Sequence, residues 1–210
     1  MRSMANPKAV EGMARYGINP EGTLGVSVKD LRKMAKQVGR DHGLALRLWA
    51  SGVHEARILA SMVDDPKEVT EEQMDSWVED FDSWDVCDQV CMNLFDKVPM
   101  AYRKAVEWAE RPEEFVRRAG FALIACLAWH DKAAPNEKFL EFLPVIRVGA
   151  MDERNFVKKA VSWALRHIGK RNPALRGAAM ALAGELAGME SRAARWVGKD
   201  VVRDLSKNRG

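Results

Sequence analysis

The sequence predicts an all-α fold, a curved stack of helical pairs (an α-solenoid) forming one domain over residues 1–210. Three observations carry this. Almost every segment shows the 3.6-residue apolar period, and no stretch alternates polar and apolar residues between hairpin turns. The turns between segments are short and polar, which leaves no room for a linker. A charged residue followed by small and apolar ones also recurs, beginning at Arg57, Asp88, Arg118 and Lys159 with separations of 31, 30 and 41 residues. Such spacings lie within or near the periods of helical-pair repeats.

Taken in order, a short helix is expected from Pro7 to about Tyr16, closed by Gly17. Ser27 is an N-cap before Leu31, Met34 and Val38, and helix continues through Leu44–Trp49 to stop at Ser51-Gly52. The next helix runs from His54 to Asp64-Asp65-Pro66, and Thr70-Glu71-Glu72-Gln73 has the capping-box pattern. Helices follow around Trp84, from Met100 to Ala109, and from Pro112 to about Trp129. His130–Asn136 is the clearest loop. Then come helices from Glu137 to Ala150, Glu153 to Gly169, Pro173 to Gly188 and Ser191 to Leu205. Lys170-Arg171-Asn172-Pro173 is a sharp turn, because a residue before proline avoids the α region.

A net charge of +3 conceals a strong asymmetry. Residues 1–60 carry +5, residues 61–100 carry −10, residues 101–140 carry +1 and residues 141–210 carry +7. Two basic ends flanking an acidic middle suit a polyanionic partner, although the acidic stretch on its own reads equally well as a solvated face. No apolar run is long enough to span a membrane, and Met1-Arg2-Ser3-Met4-Ala5 opens no signal-peptide pattern, so a cytoplasmic protein without membrane attachment is expected. Three cysteines do not make a disulfide framework. Cys87 and Cys91 sit at helical i, i+4 spacing with no neighbouring histidine or second pair, so they read as buried thiols rather than metal ligands. Neither a metal nor a cofactor is implied. Glycine-rich phosphate loops, zinc-deaminase motifs and acidic metal clusters on strands are all missing, which puts ATPase and nuclease chemistry low.

Ser83-Trp84-Asp85-Val86-Cys87-Asp88 is the stretch that invites chemistry. On a helix, Trp84 and Asp88 stand one above the other on a single face. Arg117-Arg118 opens a strongly apolar helix, and Trp163 lies between Lys158-Lys159 and Arg166, with Lys170-Arg171 beyond. Taken singly, each has a plainer reading: the tryptophans as core, Asp88 as a surface or paired carboxylate, Arg118 as a repeat-stacking residue. Their combination points to a site instead.

These segments, together with His54-Glu55-Ala56-Arg57, Val116-Arg117-Arg118-Ala119 and the run from Lys158 to Arg166 followed by Gly169-Lys170-Arg171-Asn172-Pro173, make the chain resemble the DNA alkylation repair enzymes built from HEAT-like repeats, the AlkD-like DNA glycosylases. The resemblance covers most of the chain from about residue 10. It implies that Trp84, Asp88, Arg118 and Trp163 form a cleft contacting the damaged nucleotide, with Arg117 an alternative to Arg118. It also implies that the lesion need not be flipped into a deep pocket, and that the partner is double-stranded DNA carrying alkylated bases, bound by a monomer.

The chemistry fits these residues. Purines alkylated at N3 or N7 are cationic and leave as neutral bases, so hydrolysis chiefly needs the oxocarbenium character on the deoxyribose to be stabilised and a water to be oriented. Asp88 suits both tasks, the indoles of Trp84 and Trp163 attract cationic character, and Arg118, Arg117, Lys158, Lys159, Arg166, Lys170 and Arg171 are candidate phosphate contacts. His54, Glu55, Trp49, Trp77, Trp108, Trp129 and Trp196 are read as packing. The alternative is a non-catalytic HEAT-type scaffold that binds DNA or protein through its concave face; an intact Trp84/Asp88 pair favours the enzyme.

Overall fold

The computed structural model describes residues 1–207, which are helical with no strand among them. Chain contacts divide the molecule into two compact units, Met1–Pro99 and Met100–Gly210.

In the first unit the helices are α1 (Pro7–Ala14), α2 (Val28–Val38), α3 (His42–Ala50), α4 (His54–Val63), α5 (Glu71–Glu79) and α6 (Trp84–Asn93). α2 and α3 pack against α4, which packs in turn against α6. Ser27 caps α2 as expected, its hydroxyl accepting the Asp30 N–H at 3.2 Å. Leu31 is buried, but Val38 is exposed. α3 does not continue from α2. Gly39 turns the chain at φ 78°, a conformation glycine adopts without strain, and Asp41 starts the new helix by accepting the Leu44 N–H at 2.8 Å. Only half of the expected capping box forms. Thr70 accepts the Gln73 N–H at 3.2 Å, while the Gln73 amide reaches away to the buried Asp64 carboxylate at 2.7 Å.

Two buried groups tie the unit together. The Glu55 carboxylate, 1 % exposed, accepts N–H groups from Leu24, Gly25 and Val26, at 2.6 Å for Gly25. A charge this deep is tolerable because backbone donors surround it. His54 is hydrogen-bonded to Asp85 of α6 at 2.8 Å. Both residues therefore pack, as expected, and they do so through polar bonds. Trp49 and Trp77 stack with ring centroids 3.9 Å apart.

The second unit contains α7 (Ala101–Glu110), α8 (Glu114–His130), α9 (Asn136–Leu140), α10 (Leu143–Gly149), α11 (Asn155–Lys170), α12 (Pro173–Ala187) and α13 (Arg192–Lys207). α8 is its core, buried from Ala119 through Ala128 and enclosed by α7 and α11. The stretch expected as one helix from Glu137 to Ala150 is two, α9 and α10. Pro144 sits in the first turn of α10, and without an N–H it cannot bond back to the Leu140 carbonyl that would carry the helix on. Asn172 caps α12 by accepting the Leu175 N–H at 3.0 Å. Trp108 is buried as expected, whereas Trp129 and Trp196 are 44 % and 39 % exposed and are not core residues.

The recurring charged residue keeps its register in both units: Arg57, Asp88, Arg118 and Lys159 fall at the fourth or fifth residue of α4, α6, α8 and α11.

α7 and α8 meet through glycine. A Cβ on Gly120 would lie 2.4 Å from the Ala109 nitrogen and 2.8 Å from the Ala105 carbonyl oxygen, backbone atoms that cannot swing aside. Gly120→Ala is therefore expected to destabilise the protein by about 2 kcal/mol or more. Gly177, inside α12 with nothing within 4 Å of an added Cβ, should instead gain up to about 1 kcal/mol as alanine. Urea unfolding of the two variants checks this; equal, small effects would contradict the close approach.

Candidate functional site

In the first unit the sequence-expected residues sit at the start of α6. Ser83 is the N-cap, yet its hydroxyl makes no cap bond. It accepts the Asn19 N–H at 2.9 Å, and the Asn19 amide donates to Asp82 at 2.8 Å. The Trp84 indole N–H donates to the Tyr16 carbonyl at 3.0 Å. The segment from Tyr16 to Asn19 thus pins the first turn of α6 and fixes the orientation of the indole, which stays half-buried. Asp88 lies one turn further along the same face and is also half-buried.

Asp85, between them, turns to His54. Burial works against a charged His54 ring, but the hydrogen bond and charge of Asp85, with Glu55 and Asp82, prevail and raise its pKa above the ordinary value. The anchoring of Trp84 by a backbone carbonyl was invisible in the sequence, because any residue at position 16 supplies one.

In the second unit Arg118 is 5 % exposed and donates to the Phe156 carbonyl at the start of α11. Arg117 points elsewhere. It is 3.4 Å from Asp152 and borders a pocket of about 310 Å³ with Ala109, Glu110, Pro144, Val145 and Val148. Asp152 is held by Arg154 at 2.6 Å; burial opposes its ionisation, but Arg154 and the charge of Arg117 keep its pKa below the usual carboxylate range.

The basic residues of α11 differ in their engagements. Lys159 is exposed. Lys158 has its ammonium 5.1 Å from the centre of the Trp196 ring. Arg166 faces Asp200 and Asp204 of α13 at 3.8 and 3.7 Å, and Lys170 pairs with Asp204 at 2.7 Å. Arg171 donates to the carbonyls of Ala128, Asp131 and Ala134, so its guanidinium closes the loop after α8.

Trp163 is half-buried, and the His167 ring stands edge-on to it with centroids 5.9 Å apart. His167 also lies 5.8 Å from Trp129, which is 4.6 Å from His130. Burial, together with Lys170, Arg166 and Lys132, pushes the His167 pKa down to about 4, with Asp204 opposing. The ring is an uncharged aromatic at neutral pH. The i, i+4 spacing of Trp163 and His167 was the available signal for this cluster. Trp129 was missed because a tryptophan ending an apolar helix reads as core.

A half-exposed indole and carboxylate on one face of α6, and basic and aromatic residues along α11, are thus carried by a helical-repeat protein. The chain belongs to the DNA alkylation repair enzyme family, whose model matches residues 1–197. A solved structure described as "a new family of proteins related to the HEAT-like repeat DNA glycosylases with affinity for branched DNA structures" is similar to it with a TM-score of 0.79, at 20 % identity over 96 % of this chain and 91 % of that one. This confirms the HEAT-like helical-repeat fold. No curated protein matches the chain.

The depressed His167 pKa has a signed consequence. A folded value of about 4 lies below the ordinary 6.5, so the unfolded chain takes up the proton first as the pH falls. The contribution of the neutral ring is whole above about pH 6.5 and is lost on acidification towards pH 4. In an NMR titration the His167 imidazole should remain neutral at pH 5.5; a midpoint near 6.5 would contradict its burial among cations.

Proposed function

We propose that the protein is a monofunctional DNA glycosylase that excises cationic N3- or N7-alkylated purines from duplex DNA. The observation that carries this is the α6 face: Trp84, held by the Tyr16 carbonyl at 3.0 Å, with Asp88 one turn on, in a chain of the DNA alkylation repair family. A charged base needs no protonation to depart. As the C1′–N bond breaks, its electron pair neutralises the purine, and positive charge grows on the deoxyribose. The Asp88 carboxylate stabilises that charge and orients the water whose oxygen attacks C1′, while the water's proton passes to solvent. The Trp84 face offers a cation-attracting surface that a fixed orientation makes more effective.

Trp163 takes the second aromatic contact that the family resemblance gives it. Lys158, Lys159, Arg166 and Lys170 along α11 serve as cations for flanking phosphates, while Arg118, 5 % exposed and held by the Phe156 carbonyl, adds its charge from beneath that surface. Arg117 and Arg171 are left out, because Asp152 and three loop carbonyls hold them within the fold. Arg166 and Lys170 are paired too, with Asp200 and Asp204, and reach a phosphate by exchanging those carboxylates for it. The fold's single domain, cytoplasmic setting and monomeric state are part of the same proposal.

A second reading has its own support: the structurally similar protein is described by affinity for branched DNA. A DNA binder without base excision would keep the cations and have no use for the Asp88 charge.

Single-turnover release of N7-methylguanine separates the two. Asp88→Asn keeps the shape and removes the charge, and should slow release by roughly a hundredfold or more, some 3 kcal/mol, with binding to unreactive DNA unchanged or tighter. Parent-like rates would remove Asp88 from the mechanism. For the cations, a Lys158→Ala/Lys159→Ala double variant should flatten the log–log salt dependence of DNA binding by about 0.9 for each phosphate that is no longer neutralised; an unaltered slope would place the phosphate-binding cations elsewhere.

A further inference from the structure

The Trp129 side chain has no role in the reading above, and packing does not account for it: the residue is 44 % exposed, directly after the buried run from Ala119 to Ala128 of α8. Its surroundings are specific. The His167 ring lies 5.8 Å away and bridges to Trp163, itself 5.9 Å from His167, so three aromatic side chains run in sequence across α8 and α11. Residues 163, 167 and 170 share one face of α11, which places Lys170 at the end of the row. Lys132, exposed in the loop that follows α8, and Arg166 act on the same His167 ring through their charge.

Aromatic rings bordered by cations make a surface on which proteins hold unpaired nucleotides. Here the rings are mutually tilted, by 53° between Trp129 and His167 and by 87° between His167 and Trp163, so each ring takes a base separately. Bases stack on the rings whatever their identity, and the ammonium groups meet the phosphates. Duplex DNA cannot use such a row, since its bases already stack on one another. The neutrality of His167 at physiological pH suits stacking better than an imidazolium would. Lys170 is shared with Asp204 at 2.7 Å, so Lys132 is the cation most open to a strand.

We propose that Trp129, His167 and Trp163 form a stacking platform for unpaired bases of a DNA strand, with Lys132 and Lys170 engaging its phosphates. The platform would favour DNA whose duplex adjoins a single-stranded segment. This inference rests on the reading of the protein as DNA-binding, and it adds a preference for strand form that base excision from duplex DNA does not require.

The test compares the affinity of the full chain for an unmodified blunt duplex and for the same duplex bearing a ten-nucleotide thymine extension, by fluorescence anisotropy. The parent should bind the extended DNA more tightly. Trp129→Ala should weaken binding to the extended DNA by roughly tenfold, in line with the loss of one base–aromatic stack, and reduce the preference towards one. Trp129→Phe, which keeps a stacking ring, should retain most of the preference. An unchanged thermal midpoint for Trp129→Ala confirms that folding is intact, as its exposure leads one to expect. No preference in the parent, an unchanged preference in Trp129→Ala, or an equal loss on both DNAs overturns the platform. Alkylbase release by the parent, measured separately, decides the catalytic reading, so the two failures are distinguishable.

Discussion

The enclosure of α8 on nearly every side is the constraint on which the second unit depends. Ten consecutive residues from Ala119 to Ala128 are buried, and a helix apolar all round is stable only inside a core. α7 and α11 must therefore close over it, and Gly120 sets the distance of approach by letting α8 meet the backbone at Ala105 and Ala109. Polar function is displaced to the ends and to the outer helices. Arg118 is buried at one end of α8, where the Phe156 carbonyl receives it, and Trp129 emerges at the other.

The first unit solves a different problem. It buries little of α1 and α2, where Leu31 is the one buried residue, so polar bonds help to hold the chain before α4. Glu55 gathers three backbone N–H groups of residues 24–26, and Ser83, Asp82 and Trp84 take hold of residues 16–19. Trp84 then has two parts to play: its N–H secures the entering segment, and in the proposed function its partly exposed ring contacts the lesion. A side chain with a polar edge and an apolar face can do both.

Most helices were legible because their apolar period is strong and their caps are conventional. Ser27 and Thr70 cap as their spacing implies. The misreadings have local causes. Gly39 breaks what the period presents as one helix, and Pro144 breaks another by lacking an N–H. Gln73 prefers the buried Asp64 to its own N-cap. The candidate site was legible as residue types on helices, since Trp84/Asp88 and Trp163/His167 each fall at i, i+4. What could not be read was engagement. Nothing in Lys170-Arg171 says that one pairs with Asp204 while the other clamps three carbonyls, because those partners come from α13 and from the loop after α8.

The central claim is that the charge of the lesion drives its own departure, with Asp88 answering the charge that appears on the sugar. The most direct measurement is release of free base from two duplexes, one carrying cationic N7-methylguanine and the other neutral O6-methylguanine, by purified protein without added metal. The account predicts release of the cationic base and none of the neutral one within the same period. Release of both at similar rates, or of neither, would contradict it.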